Sequence, residues 1–223
     1  MRICAVFERG FVGQRIPARP VIAGRIVIAF QDDAALDQVF RTARTYNGYL
    51  DQPVSDDQLR AIWDLMKMGP TSANQLPARL VWCTSQAAKE KLAACTMPAN
   101  GAKILSAPVT VIIAMDTQFH EQLPWLFPHA DAKSWFTGND ALRERSALLN
   151  TTLQAAYFIV AARALGLDTG PMTGFANDAV DAAFLADTPD YKSVMISTLG
   201  YGDPASIFER SPRPDFDTFN RIA

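Results

Sequence analysis

PVTVIIAM, residues Pro108 to Met115, is β-branched and apolar without alternation, the pattern of a central strand buried on both faces. The surrounding chain must then supply helices to cover it. Toward the N-terminus the sequence predicts a helical turn over 100–105, a turn around Pro98, a short helix over 86–94 and a strand over 79–84, RLVWCT. Before these, Ser55 with Gln58 three residues on forms a capping box, and Leu59, Ile62, Trp63 and Met66 recur at i, i+3, i+4 and i+7 until Gly69-Pro70 stops the helix. Asp32 and Asp33 can cap an earlier helix that carries Leu36, Val39 and Phe40.

Toward the C-terminus, residues 116–138 form an irregular insert rich in large side chains, and a loop of that length is usually functional or mobile. A long helix is expected over 139–165 and ends at Gly166. Its second half, LQAAYFIVAARALG, is apolar nearly all round, as in a helix buried in a core or between subunits. A short link LDTGPMTGF, a helix capped by Asn177, a strand over 191–199 and a proline-rich tail complete the chain. Strands separated by helices without a regular βαβ repeat give an α+β class with a mixed sheet flanked by helices.

The chain has 223 residues, 49% of them hydrophobic and 20% charged, ordinary values for one compact domain. No apolar run is long enough to span a bilayer. A formal net charge of -2 supplies no cationic field for phosphate backbones, so a small molecule is a better partner than a nucleic acid. Three cysteines, Cys4, Cys83 and Cys95, without C-x-x-C spacing, fit reduced thiols in a cytoplasm. Two histidines supply histidine-based zinc sites poorly, and no metal site is expected. Within the first thirty residues Arg2, Arg9, Arg15, Arg19 and Arg25 face a single acid, Glu8. An Arg-rich targeting peptide is one reading. The favoured one is an N-terminal extension outside the fold over 1–30, with the folded domain over 31–223.

No G-x-G-x-x-G follows a strand, and no P-loop, H-E-x-x-H or G-x-S-x-G occurs, so the reactive group of an enzyme here would be a borrowed one. Four segments place donors or cations at loops or helix ends: ARTYNGY (Ala43 to Tyr49), GPTSANQLP (Gly69 to Pro77), NGAK (Asn100 to Lys103) and GPMTGF (Gly170 to Phe175). Singly, each reads as a solvated helix end, a proline-bounded loop, an N-cap with an exposed lysine, or a glycine-supported turn.

In this order and spacing, together with LFPHADAKSWF and LGYGD, they resemble the nitroreductase family of flavoproteins, from about residue 34 to the C-terminus. Within it they are most similar to the malonic semialdehyde reductases of pyrimidine degradation. The resemblance implies a homodimer with FMN at the subunit interface, reduced by NADPH or NADH in a ping-pong scheme, and malonic semialdehyde as the acceptor, giving 3-hydroxypropionate. It implies that Arg44 and Thr45 lie near the flavin phosphate and ribityl chain, with Asn47 where the family often has a second basic residue. Arg213 would also approach the phosphate, although Ser211 stands where a lysine is usual. Asn100 and Lys103 would address the pyrimidine ring. Pro171, Thr173 and Gly174 would line the segment whose backbone N–H faces N5. Pro70, Thr71, Ser72 and Asn74 would reach across the dimer to the partner's FMN. No catalytic side chain is assigned. His129, Lys133 and Arg79 are candidates for the substrate's carboxylate or for proton donation. The rival readings are a general nitroreductase, quinone reductase or enone reductase, and a flavin-binding module without turnover.

Overall fold

The computed structural model describes residues 21–22, 25–26 and 33–223. The first two pairs form a small antiparallel ladder of their own, β1 (Val21–Ile22) and β2 (Arg25–Ile26), with Val21 opposite Ile26. The expectations for Cys4, for the arginines and for an extension over 1–30 otherwise lie outside the described residues.

The main unit runs from Ala34 to Ala223. Helix α1 (Asp33–Leu36) passes straight into a wider helical stretch, Asp37–Arg41. Helix α2 (Asp56–Met66) begins with the expected capping box: the Ser55 hydroxyl accepts from the Gln58 N–H, and the Gln58 side chain accepts from the Ser55 N–H. Strand β3 (Ala78–Cys83), helices α3 (Gln86–Ala93) and α4 (Pro98–Ser106), and strand β4 (Val109–Asp116) follow close to their predicted places. Pro98 sits at the start of α4, where a missing N–H costs nothing. The insert contains one short helix, α5 (Leu123–Leu126), between two single tight turns. Helix α6 (Asp140–Ala164) ends at Gly166, whose φ of 77° suits glycine. Strand β5 (Asp168–Met172), helix α7 (Asn177–Phe184), strand β6 (Tyr191–Gly200) and the short helix α8 (Phe216–Phe219) complete the order.

The sheet runs β3-β4-β6-β5 and is antiparallel at every pairing, where the sequence reading expected a mixed sheet. Ile112 of β4 lies opposite Val81 on one side and Ile196 on the other. A register shift opposite the Ile113–Ala114 step of β4 leaves one extra residue in β6, so that Ile113 pairs with Met195 and Ala114 with Ser193.

β4 explains the layering. Its residues Val109 to Ala114 are all buried. Because strand side chains alternate, Val109, Val111 and Ile113 meet α2 and α6 through Leu59, Ile62, Met66, Ala155 and Phe158. Ile112 meets the opposite layer, with Leu92 of α3, Ile104 of α4 and Val180 of α7. Each fully buried branched side chain of this set contributes roughly 1.5–3 kcal/mol through removal of apolar area from water.

Two local readings are corrected. The link LDTGPMTGF contains β5, hidden in the sequence by Gly170-Pro171; proline is tolerated because β5 is an edge strand. Asn177 does not cap α7: its amide donates to the Ser193 carbonyl at 2.6 Å and so ties the helix to β6. The long apolar helix is buried on one side by Ala155, Phe158, Ala161 and Ala162, while Leu149, Leu153 and Tyr157 on another side are exposed in the single chain. No helix among the described residues is long and apolar enough to cross a membrane.

Candidate functional site

The loop leaving α2 holds three residues in the left-handed region: Ala73 at φ 49°, Asn74 at 49° and Leu76 at 39°, the only non-glycine cases among the described residues. Such conformations cost on the order of 1–3 kcal/mol each and persist only where the surroundings over-determine them. Here α6 does so. Ser146, Asn150 and Gln154 recur every four residues and so line one stripe of that helix. The Ser72 N–H donates to Asn150 Oδ1 at 2.8 Å, the Ala78 N–H donates to Gln154 Oε1 at 2.8 Å, and the buried Gln75 donates to Ser146 Oγ at 3.1 Å. Within the loop, the Leu76 N–H donates to Thr71 Oγ1 at 3.2 Å. Gly69 lies flat on Tyr157 of α6; a Cβ there would stand 2.4 Å from the ring. The loop is thereby clamped from inside while Pro70, Ser72 and Asn74 stay exposed, and Asn74 donates to the Leu126 carbonyl of the insert at 2.8 Å.

ARTYNGY is fixed at the start of β5. Thr45 bridges Thr169 in parallel fashion, and the Tyr49 and Thr198 hydroxyls are 2.6 Å apart. Burial pushes the Tyr49 phenol up, so it is a neutral hydrogen-bonding group at all ordinary pH. Gly202 touches the Tyr46 ring, where a Cβ would come within 2.3 Å, and its N–H donates to Asp168 Oδ2 at 3.0 Å. Burial raises the Asp168 pKa against the pull of that N–H and of Arg163. The tail closes over this corner. Asn47 donates to the Ser206 carbonyl at 2.9 Å, Arg44 donates to the Phe208 carbonyl, and Arg210 donates to the Ala43 carbonyl at 2.9 Å. Arg213 instead turns its guanidinium onto the Ser211 and Pro212 carbonyls beside it.

At the other end of β5, α4 meets the 173–176 segment. Asn100 Nδ2 donates to the Gly174 carbonyl at 2.9 Å, and the Ala176 N–H donates to the Cys95 carbonyl at 2.9 Å. A Cβ on Gly174 would lie 3.0 Å from Asn100 Nδ2, so the approach is close. The Gly174 N–H has no hydrogen-bond partner among the described residues, and the half-buried Lys103 ammonium has no ion pair or hydrogen bond there. β5, with Pro171 in it, thus joins a guanidinium-rich end at Thr45 and Thr169 to an end at Thr173 and Gly174 whose Gly174 N–H is unpaired among the described residues and which meets α4, the helix that carries Lys103. Four strand steps separate Thr169 from Thr173, about 13 Å.

Phosphate and ribityl oxygens need the donors of the first end, and an electron-poor ring that gains negative charge needs those of the second, so the residues present fit FMN. The loop with Pro70, Thr71, Ser72 and Asn74 makes no hydrogen bond to either end within one chain. Two clefts, of about 530 and 640 Å³, lie elsewhere: one between α2 and β3 at Trp63 and Trp82, the other between Leu50 and Pro108. The second shares Tyr49 with the start of β5, and neither is lined by Arg44, Thr45, Lys103, Thr173 or Gly174.

The candidate acceptor residues fare differently. Arg79 pairs with Asp116 at 2.6 Å and stacks on Tyr191, so its charge is already neutralised. Lys133 pairs with Glu121 at 2.6 Å. His129 is exposed, edge-on to Phe127 at 5.5 Å. The polar stripe of α6 escaped the sequence reading, although three polar residues at four-residue spacing in an apolar helix are a legible signal. Arg210 escaped it too, and no local pattern marks it.

These features define a class: an α+β protein with a four-stranded antiparallel sheet whose edge strand carries hydrogen-bond donors and cations near its start and donors at its end. The chain matches the family model described as "Nitroreductase family" over residues 41–201. A Xanthomonas oryzae pv. oryzae protein named "Putative NADH dehydrogenase/NAD(P)H nitroreductase" is 59% identical over 189 residues, covering 85% of this chain and 96% of its own. A similarly named Burkholderia lata protein is 57% identical over 190 residues, covering 85% and 97%. Among solved structures, ydfN of Bacillus subtilis superposes with a TM-score of 0.75 at 22% identity, covering 86% of this chain and 100% of its own. A protein of Exiguobacterium sibiricum solved in complex with FMN gives 0.74 at 20% identity, covering 83% and 96%. This chain belongs to the nitroreductase family.

The insert carries a titration. His120 is buried, its Nδ1 has no partner, and Nε2 lies 3.6 Å from Glu121. Burial first, then Arg143, holds its pKa below the ordinary value, with Lys133 adding to the shift and Glu121 opposing it. The unfolded chain therefore takes up this proton more readily. Stability is complete above about pH 6.5 and falls as the pH drops toward the folded-state pKa, by at most about 1.4 kcal/mol per pH unit. Urea midpoints between pH 7.5 and 5.5 should show this slope, and His120→Gln should flatten it; equal slopes in both proteins would exclude His120 as its source.

Proposed function

We propose that this protein is an FMN-dependent NAD(P)H oxidoreductase acting as a homodimer in the cytoplasm. The observation that carries the reading is the Asn100 bond that seats α4 on Gly174, whose N–H is unengaged among the described residues, with Lys103, likewise unengaged among them, one turn further along the same helix. Family membership, the NAD(P)H in the relatives' names and the FMN of the Exiguobacterium sibiricum structure support it. When bound, FMN supplies hydride transfer from NAD(P)H to an organic acceptor. Lys103 then provides a fixed cation for negative charge on the ring, and a preorganised cation acts without reorganising at the moment of reaction. Gly174 offers its N–H from backbone that a side chain would crowd. Arg44, Thr45 and Asn47 orient the anionic tail. Pro70, Thr71, Ser72 and Asn74, which find no ligand-binding partner in their own chain, serve the partner's site, and the exposed Leu149, Leu153 and Tyr157 of α6 supply the apolar contact between protomers.

For the acceptor we propose malonic semialdehyde, reduced to 3-hydroxypropionate, on the wording of the sequence segments. A second reading, a planar nitro, quinone or enone acceptor, has its own observation. Arg79 and Lys133 are spent on Asp116 and Glu121, while the insert presents exposed Trp125 and Trp135, with the Phe127 ring tilted against Trp135 at 6.2 Å.

Purified protein should be yellow and should bleach with NADPH or NADH under anaerobic conditions. Yellow protein that does not bleach would mark a binding module, and colourless protein that refuses FMN would end the flavin reading. Turnover on malonic semialdehyde, nitrofurazone and menadione decides the acceptor, since faster consumption of the last two demotes the aldehyde. Light scattering should give a dimer mass; a monomer retaining FMN in full would contradict a shared site. Lys103→Ala should slow flavin reduction roughly ten-fold or more, the loss expected for one charge-stabilising donor. Unchanged stopped-flow rates and flavin content would remove Lys103 from the site.

A further inference from the structure

Helix α3 turns two residues inward, Lys89 and Leu92, three positions apart and so on one face. Leu92 belongs to the core, whereas a lysine is rarely buried without a partner for its charge. Lys89 is only 9% exposed, and its Nζ donates to the Ala107 carbonyl at the end of α4 at 2.8 Å. An ammonium has three N–H donors, and this is the one hydrogen bond the Lys89 ammonium makes among the described residues. It forms no ion pair there. The end of a helix supplies the equivalent of about half a negative charge, so part of a buried positive charge is left without compensation. Lys89 and Ala107 both line the cleft of about 640 Å³ between the 49–53 segment and the end of α4, so the bond between them puts the ammonium in its wall. Leu50, Pro53, Leu105 and Pro108 make much of the remaining lining apolar, and Asp51 and Gln52 are exposed on it.

We infer that this cleft is a ligand site of its own, which takes a small organic carboxylate with an apolar body, the carboxylate accepting from Lys89 Nζ. Its volume lies in the range of small-molecule pockets, which combine apolar walls with a few polar anchors. The charges select a monoanion. One ammonium is present, Asp51 is the other charged lining residue and opposes a second negative charge, and no guanidinium lines the cleft to grip a phosphate. A carboxylate would use the two N–H donors that Lys89 has left and supply the missing counter-charge. The apolar body would cover Leu50 and Leu105, which are 47% and 41% exposed. Neither Lys89 nor the cleft enters the flavin reading above, so the inference stands or falls without it.

The test is calorimetric titration of the full chain, saturated with FMN, using three probes: benzoate, benzyl alcohol, which keeps the ring but carries no charge, and inorganic phosphate. Benzoate should bind saturably, at one site per chain, and more tightly than the other two. Lys89→Met, which keeps an apolar stem, should lose roughly ten-fold or more in benzoate affinity, as expected for a hydrogen bond to a charged group, with benzyl alcohol unaffected. Leu105→Trp places a large ring in the cleft from an exposed position. It should weaken benzoate and benzyl alcohol alike at unchanged melting temperature and flavin content, and it decides the matter if Lys89→Met does not fold. Absence of saturable benzoate binding overturns the inference, as does benzoate affinity unchanged in either folded variant. Equal losses of benzoate and benzyl alcohol in Lys89→Met would reduce the lysine to a support for α4 and also overturn it. Phosphate binding as tightly as benzoate would refute the carboxylate class. Benzoate that perturbs the visible flavin spectrum and still binds both variants lies on the flavin, which likewise overturns the inference. Protein that takes up no FMN removes the flavin reading alone, and the same three titrations then decide the cleft.

Discussion

The strained loop after α2 is held by a polar stripe on an otherwise apolar helix, and most of the proposed site depends on that hold. Three residues in left-handed conformation would relax if the loop had only its own hydrogen bonds. Asn150 and Gln154 accept from the Ser72 and Ala78 N–H groups, so the cost of burying amides in α6 is offset by satisfying backbone donors that would otherwise be buried without partners. The clamp fixes both ends of the loop: Gly69 rests on Tyr157 and Ala78 opens β3. Between them, exposed polar groups face outward from rigid backbone, as a binding surface requires.

β5 organises the remainder. One short strand at the sheet edge connects a corner crowded with guanidinium groups to a corner where the Gly174 N–H is unpaired among the described residues and the helix of Lys103 packs. The two ends differ in chemistry because different elements reach them. The segment 43–49 and the tail pack on the start of the strand through Tyr46, Tyr49 and Gly202, whereas α4 meets its end through Asn100. Among the described residues Arg44, Arg210 and Lys103 form no ion pair, which suits the proposal that their charges face a ligand.

The sequence revealed those parts of the fold that rest on local chemistry. The capping box at Ser55, the unbroken apolar run of β4 and the glycine ending α6 each carry their cause within a few residues, and the structure shows all three. β5 was illegible because Gly170-Pro171 is also the signature of a turn; only the register with β6 makes it a strand. The antiparallel character of the sheet was hidden for a related reason, since strand direction is set by connections and not by composition. Of the candidate site, the donor-bearing segments could be located by composition, but their grouping at the two ends of β5 could not. Arg79 looked available for a substrate until Asp116, thirty-seven residues away, proved to be its partner.

Pro171 has one more effect. A strand at the margin of a sheet offers a row of amides on which another molecule's extended chain can nucleate, and such margins are where ordered aggregation starts. A proline near the centre of β5 cannot donate, and the Thr45 bridge occupies part of the same margin. The sheet is therefore closed to further growth on that side by residues that also belong to the proposed site, and a change there would risk solubility as well as the proposed binding.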